Sequence, residues 1–168
     1  MIKAVIFDLD GTLIHLPIDY ERLFQEFRKI MKTTDIHPLA KKISKLDEKT
    51  KNKIFEVWGK AELAASANIT VKDEGIAIYK KFSEKPRALV TLQGKALVQF
   101  VLEHLGLSFN FVVTREHCLN RVEQLKIISE KLGVSSKNIL FVGNTDDDFL
   151  AAKKVGCKFL RAKDEDMV

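Results

Sequence analysis

The sequence predicts an α/β fold: a parallel sheet of five strands with helices on both faces and a small helical insert after the first strand. Three observations predict it. Five short apolar, β-branched runs occur at 2–7, 87–91, 109–113, 138–142 and 158–160. The segments between the last four repeat their apolar residues at helical spacing, and strand–helix alternation with short loops is the pattern of a parallel sheet. About 70 residues, 15–86, break that rhythm and show no clear strand.

The first run, Ile-Lys-Ala-Val-Ile-Phe, stops at Asp8 and reads as a buried strand ending in a polar loop. In the insert, Tyr20, Leu23, Phe24, Phe27, Ile30 and Met31 mark one helix, and Ile54, Val57, Trp58, Ala61 and Ala65 another. Ile76, Tyr79 and Lys80 suggest a short third before Pro86, and the lysine-rich stretch 41–53 reads as a solvated helix and loop. Beyond it, Ala96, Leu97, Phe100, Val101 and Leu105 mark a helix ended by Gly106. Leu125, Ile128 and Leu132 mark one ended by Gly133, and a third runs from about 146 to Gly156. Residues 1–14 with 87–168 are thus expected to form the core, and 15–86 a helical cap.

With 168 residues, 46% hydrophobic and 30% charged, the chain is long enough for one packed core carrying one insertion. A formal charge of +5 permits an anionic ligand without demanding one. No basic stripe interleaved with aromatics appears, so nucleic acid is not expected as a partner. Cys118 and Cys157 form neither a CxxC pair nor a Cys/His cluster. Asp8 falls where a signal peptide needs an apolar run, and no apolar stretch is long enough to span a bilayer. A cytoplasmic protein is expected.

The sharpest chemical signal is Phe7-Asp8-Leu9-Asp10-Gly11-Thr12-Leu13. Two carboxylates at i and i+2 stand at the carboxyl end of a parallel strand, where open α/β sheets bind ligands. An Asp-Gly turn alone would mean only a strand end. Asp8 to Thr12 resembles motif I of the haloacid dehalogenase (HAD) superfamily of phosphohydrolases, including its phosphoglycolate phosphatase-like members. Thr91, in Val90-Thr91-Leu92-Gln93-Gly94, matches the motif II threonine. Phe141-Val142-Gly143-Asn144-Thr145-Asp146-Asp147-Asp148 resembles motif IV, and the insert matches a C1-type cap.

The resemblance implies a Rossmann-like core and a Mg²⁺-dependent phosphatase. Asp8 would be the nucleophile that forms an aspartyl-phosphate, and Asp10 the general acid and base. Thr91 would hold phosphoryl oxygens, beside a helix N-terminus opened by Gln93-Gly94. Mg²⁺ would be held by Asp8, the Asp10 backbone carbonyl, Asn144 and Asp148. Dehalogenases lack the second aspartate, so Asp10 points to phosphoryl transfer. On its own residues, Thr91 could equally cap a turn.

Two departures qualify the match. The motif III lysine is missing from the region 114–126; Arg121 is nearest its place, Lys126 next and Arg115 third, and Arg121 could instead be a solvated residue of a first helical turn. Asn144 replaces the first acid of motif IV, which removes one negative charge from a hard-cation site. Asp146 and Asp147 lie nearby, where acids also cap a helix N-terminus. His15 could face the cleft, whereas His37, His104 and His117 show no ligand spacing. The expected substrate is a small phosphorylated metabolite. The rival reading is a weak or inactive relative that binds a phosphorylated ligand or a protein partner.

Overall fold

The computed structural model describes residues 1–163. In chain order the elements are β1 (Ala4–Phe7), β2 (Ile14–His15), α1 (Tyr20–Met31), α2 (Leu39–Ser44), α3 (Glu48–Ala65), β3 (Thr70–Val71), α4 (Asp73–Lys81), β4 (Arg87–Val90), α5 (Lys95–Leu105), β5 (Phe111–Val113), α6 (Arg121–Leu132), β6 (Ile139–Gly143), α7 (Asp146–Val155) and β7 (Lys158–Arg161). Strands β5-β4-β1-β6-β7 form one sheet in that order, with every pairing parallel. All five expected strands are present, and β1 lies at the centre.

Alternation along β1 explains the two-sided core. Val5 and Phe7 point to one face and pack with Leu89, Leu97, Val101 and Tyr79. Ala4 and Ile6 point to the other, with Phe141, Leu125, Ile128 and Ala152. A third apolar cluster, separate from both, holds Leu23, Phe27, Ile43, Ile54 and Trp58 of the insert. Phe24, Phe27 and Trp58, which repeat at helical spacing, therefore belong to the insert's own core. Among the described residues no helix is long and apolar enough to cross a membrane.

Two features of 15–86 were not legible in the sequence. The segment contains strand β3, and its entry strand β2 pairs with it antiparallel, Ile14 opposite Val71 and His15 opposite Thr70. Strands of two residues carry no periodicity, and their partner lies more than fifty residues away. The last helix, α4, packs against the main sheet: Tyr79 meets Phe7 edge to face at 6.0 Å and Phe109 at 5.4 Å.

Candidate active site

Sheet geometry places the first two groups. Pairing runs one residue past β1 and β4: Asp8 N–H donates to the Val142 carbonyl and Thr91 N–H to that of Val113, both at 3.0 Å. Asp8, Thr91 and the residues after β6 are therefore held together at the carboxyl ends of three adjacent strands, far apart as they are in sequence.

The turn after Asp8 is tight. The Leu9 carbonyl accepts from Thr12, Leu13 and Ile14 at 2.9–3.2 Å, and Gly11 N–H donates to Ile14 at 2.7 Å. Gly11 takes φ +83°, and a Cβ there would collide with the Asn144 amide, so both conformation and space require glycine. The turn brings Asp10 back towards the cleft. Its Oδ1 accepts from Leu16 N–H at 2.9 Å, and its Oδ2 receives the Tyr20 hydroxyl of the cap at 3.5 Å.

Motif IV is organised by a capping box at the start of α7. Thr145 Oγ1 accepts from Asp148 N–H at 3.0 Å, while Asp148 Oδ2 accepts from the N–H groups of Asn144 and Thr145. This leaves Asp148 Oδ1 facing Arg121 Nε at 3.1 Å, and Arg121 Nη2 reaches Asp8 Oδ1 at 3.0 Å. Arg121 Nη1 donates to Gln124 Oε1 at 2.7 Å, and Gln124 Nε2 donates in turn to the Thr91 carbonyl at 2.9 Å. Arg121 thus bridges the two site carboxylates and is no solvated residue of the first turn.

The other two cations lie elsewhere. Lys126 is exposed and pairs with Glu123. Arg115 is buried in a bidentate pair with Glu62 of α3, Nη1 to Oε2 at 2.8 Å and Nη2 to Oε1 at 2.6 Å. One expectation is corrected: the N-terminus of α5 is not open to a phosphate. Gly94 N–H donates to Glu62 and Lys95 N–H to Glu116, so the chain's own carboxylates fill it.

A cleft of about 1120 Å³ lies over these groups. Its floor carries Asp8, Asp10, Thr91, Arg121, Asn144 and Asp148, and His15 also lines it. Its outer walls carry Lys41 and Ser44 of the cap and Leu150 and Lys154 of α7. Burial pushes the Asp8 carboxyl up to about 7; Arg121 pulls against it, while Asp148 and Asp10 push the same way as burial. Burial also raises Asp10, opposed by the Leu16 N–H. Tyr20 is driven to about 12 by burial and by the charge of Asp10.

Among the described residues no three His, Cys, Asp or Glu side chains group as a metal cluster. The donors at the floor are instead the carboxylates of Asp8 and Asp148 and the Asn144 amide, beside Asp10. All are hard oxygens of the kind Mg²⁺ takes. One guanidinium shared between Asp8 and Asp148 leaves that floor short of positive charge, so the residues present fit a hard cation. Sequence reasoning missed Glu62, Gln124 and the contact of Tyr20 with Asp10. Gln124, three residues after Arg121 on the same helix face, carried a signal of its own.

Fold and geometry define a parallel α/β protein whose candidate site lies at the carboxyl end of its sheet. Residues 5–162 match the haloacid dehalogenase-like hydrolase family, and the chain belongs to it. It is 26% identical to a protein of Clostridium perfringens described as a candidate pyrophosphatase PpaX, over 94% of this chain and 82% of that one. It is 25% identical to the phosphoglycolate phosphatase of Neisseria gonorrhoeae, over 93% and 78%. A family enzyme of Bacteroides thetaiotaomicron, solved with magnesium and inorganic phosphate, superposes with a TM-score of 0.63 at 18% identity, covering 98% of this chain and 97% of the other.

Proposed function

We propose that this chain is a Mg²⁺-dependent phosphatase that hydrolyses a small phosphorylated metabolite through an aspartyl-phosphate. The observation that carries the reading is the buried Asp8 carboxylate, bridged by Arg121 to Asp148, with a second carboxyl, Asp10, facing the same cleft. The relatives named for phosphatase and pyrophosphatase activity, and the neighbour with magnesium and phosphate, support it.

In this reading Asp8 attacks phosphorus, and the bond to the leaving oxygen breaks as Asp10 delivers its proton there. Asp10, now a carboxylate, then takes a proton from water. The water oxygen attacks the phosphorus of the aspartyl-phosphate, which restores Asp8 and releases inorganic phosphate. Arg121 and Thr91 hold the phosphoryl oxygens. Bound Mg²⁺, held by Asp8, Asn144, Asp148 and the Asp10 carbonyl, would neutralise charge between phosphate and carboxylates. Lys41 and Lys154 on the outer walls suit a leaving group that is itself anionic.

A second reading, a binding protein with little turnover, draws on the amide at Asn144. A panel of phosphate esters assayed with and without Mg²⁺ separates the two. The enzyme reading expects Mg²⁺-dependent release of phosphate that Asp8→Asn abolishes. Phosphate-ester binding without turnover at any Mg²⁺ concentration would favour the binding protein.

A further inference from the structure

Glu62 is a cap residue, yet its carboxylate is wholly buried and spent on the core. It accepts from Gly94 N–H at 3.2 Å through both oxygens and from both terminal nitrogens of Arg115. Arg115 Nη1 also donates to the Leu92 carbonyl at 3.2 Å, and its guanidinium lies 4.3 Å from the centre of the Trp58 ring. The space is closely fitted, since a Cβ on Gly94 would come within 2.6 Å of Arg115 Nη2 and 3.0 Å of Glu62 Oε1.

These partners are not scattered. Leu92 and Gly94 belong to the loop that follows Thr91, and Gln93 N–H in the same loop donates to Thr91 Oγ1 at 3.0 Å. Arg115 opens the loop after β5, and its own N–H donates to the Gln93 carbonyl at 3.3 Å. One carboxylate from the cap thus holds the Gly94 N–H and the Arg115 guanidinium, which in turn holds the Leu92 carbonyl, around the threonine that faces the cleft. A buried ion pair seldom adds net stability, because desolvation offsets its attraction, so stability alone does not account for this one.

We propose that Glu62 and Arg115 are positioning residues: from the cap, they set the geometry of the Thr91–Gly94 loop and so the affinity of the core for a phosphoryl group. The proposal rests on the reading of Thr91 as a phosphoryl-holding residue. It makes phosphate affinity a property of the docked cap as well as of the sheet.

The test uses Glu62→Ala, Glu62→Gln and the double variant Glu62→Gln with Arg115→Gln, under conditions where circular dichroism shows each variant folded. The readouts are amide hydrogen exchange at Gly94 relative to β1, affinity for inorganic phosphate, and KM against kcat for p-nitrophenyl phosphate. In Glu62→Ala we expect Gly94 exchange to accelerate about 10-fold and phosphate affinity to fall by about the same factor, with KM moving more than kcat. Glu62→Gln strands the Arg115 charge and is expected to lose affinity as well. The double variant keeps an acceptor for Gly94 without that charge and is expected to regain affinity to within about 3-fold of the native protein.

A folded Glu62→Ala with unchanged Gly94 exchange and phosphate affinity would overturn the proposal. If Glu62→Ala does not fold, equal affinity in the native protein and both glutamine variants would overturn it too. A native protein that binds phosphate but hydrolyses no ester would instead fail the phosphatase reading and leave the positioning role to these same measurements. If the native protein binds no phosphate, the role is overturned along with its premise.

Discussion

Replacing Asp8 by asparagine removes a charge that the fold holds against a solvation deficit. Burial raises this carboxyl from 3.8 to about 7 in the metal-free protein. The sign follows from proton counting. Between those two values the folded state keeps a proton that the unfolded chain has lost, so stability falls as pH rises from about 4 to about 7 and is level above that. At about 1.4 kcal/mol for each factor of ten, the deficit is on the order of 2 kcal/mol at pH 5 and 4 kcal/mol at pH 8. Asparagine carries none of it. In chelator, Asp8→Asn should therefore be more stable than the native protein, with an advantage that widens by about 2–3 kcal/mol between pH 5 and pH 8. Urea unfolding at the two pH values measures it, and in a chain of this size each kcal/mol corresponds to about 2–4 °C in Tm. An advantage of equal size at both pH values, or a less stable variant at pH 8, would refute the reasoning and mean that Arg121 already neutralises Asp8.

Arg121→Ala should lower kcat/KM at least about 100-fold, whereas Lys126→Ala, whose salt bridge is exposed, should stay within about 2-fold; steady-state kinetics on one ester compares them. Asp10→Asn should slow turnover by about 10²–10⁴-fold, and quenched samples of this variant should show the phosphoenzyme persisting longer than in the native protein. Asn144→Asp restores a carboxylate at the floor and should tighten Mg²⁺ binding by about 10–100-fold in calorimetric titration; an unchanged affinity would place Asn144 outside the metal's contacts.

How much was legible in the sequence follows from the range of the forces involved. The strands of the main sheet declare themselves because both faces are covered, so Ala4, Val5, Ile6 and Phe7 are all apolar. The carboxylates Asp8, Asp10 and Asp148 stand out because they interrupt or follow such runs. Position ranked Arg121 ahead of Lys126 and Arg115, but position alone left open that Arg121 was a solvated residue of a first helical turn. The answer depends on which guanidinium the packing turns inward, and the capping box that aims Asp148 Oδ1 at Arg121 exists only once α7 has formed. Glu62 was invisible for a similar reason. Its partners lie 32 and 53 residues away, and an isolated glutamate on a polar helix reads as solvated until the cap docks.

The short ribbon of β2 and β3 has a consequence for how such a chain can change. Ile14 and Val71 are neighbours across that ribbon, so the polypeptide leaves for the cap and returns from it at nearly one point. Everything between them hangs from a closed neck. A longer, shorter or wholly different excursion can be grafted there without altering the spacing of any strand in the main sheet, because loop length adds little to the entropy of closure. The helix that follows the neck, α4, stays bolted to the sheet through Tyr79 whatever the excursion contains. The strands beneath the cleft can then stay constant while the roof is exchanged, provided that each new roof still supplies a partner for Arg115 where Glu62 now stands.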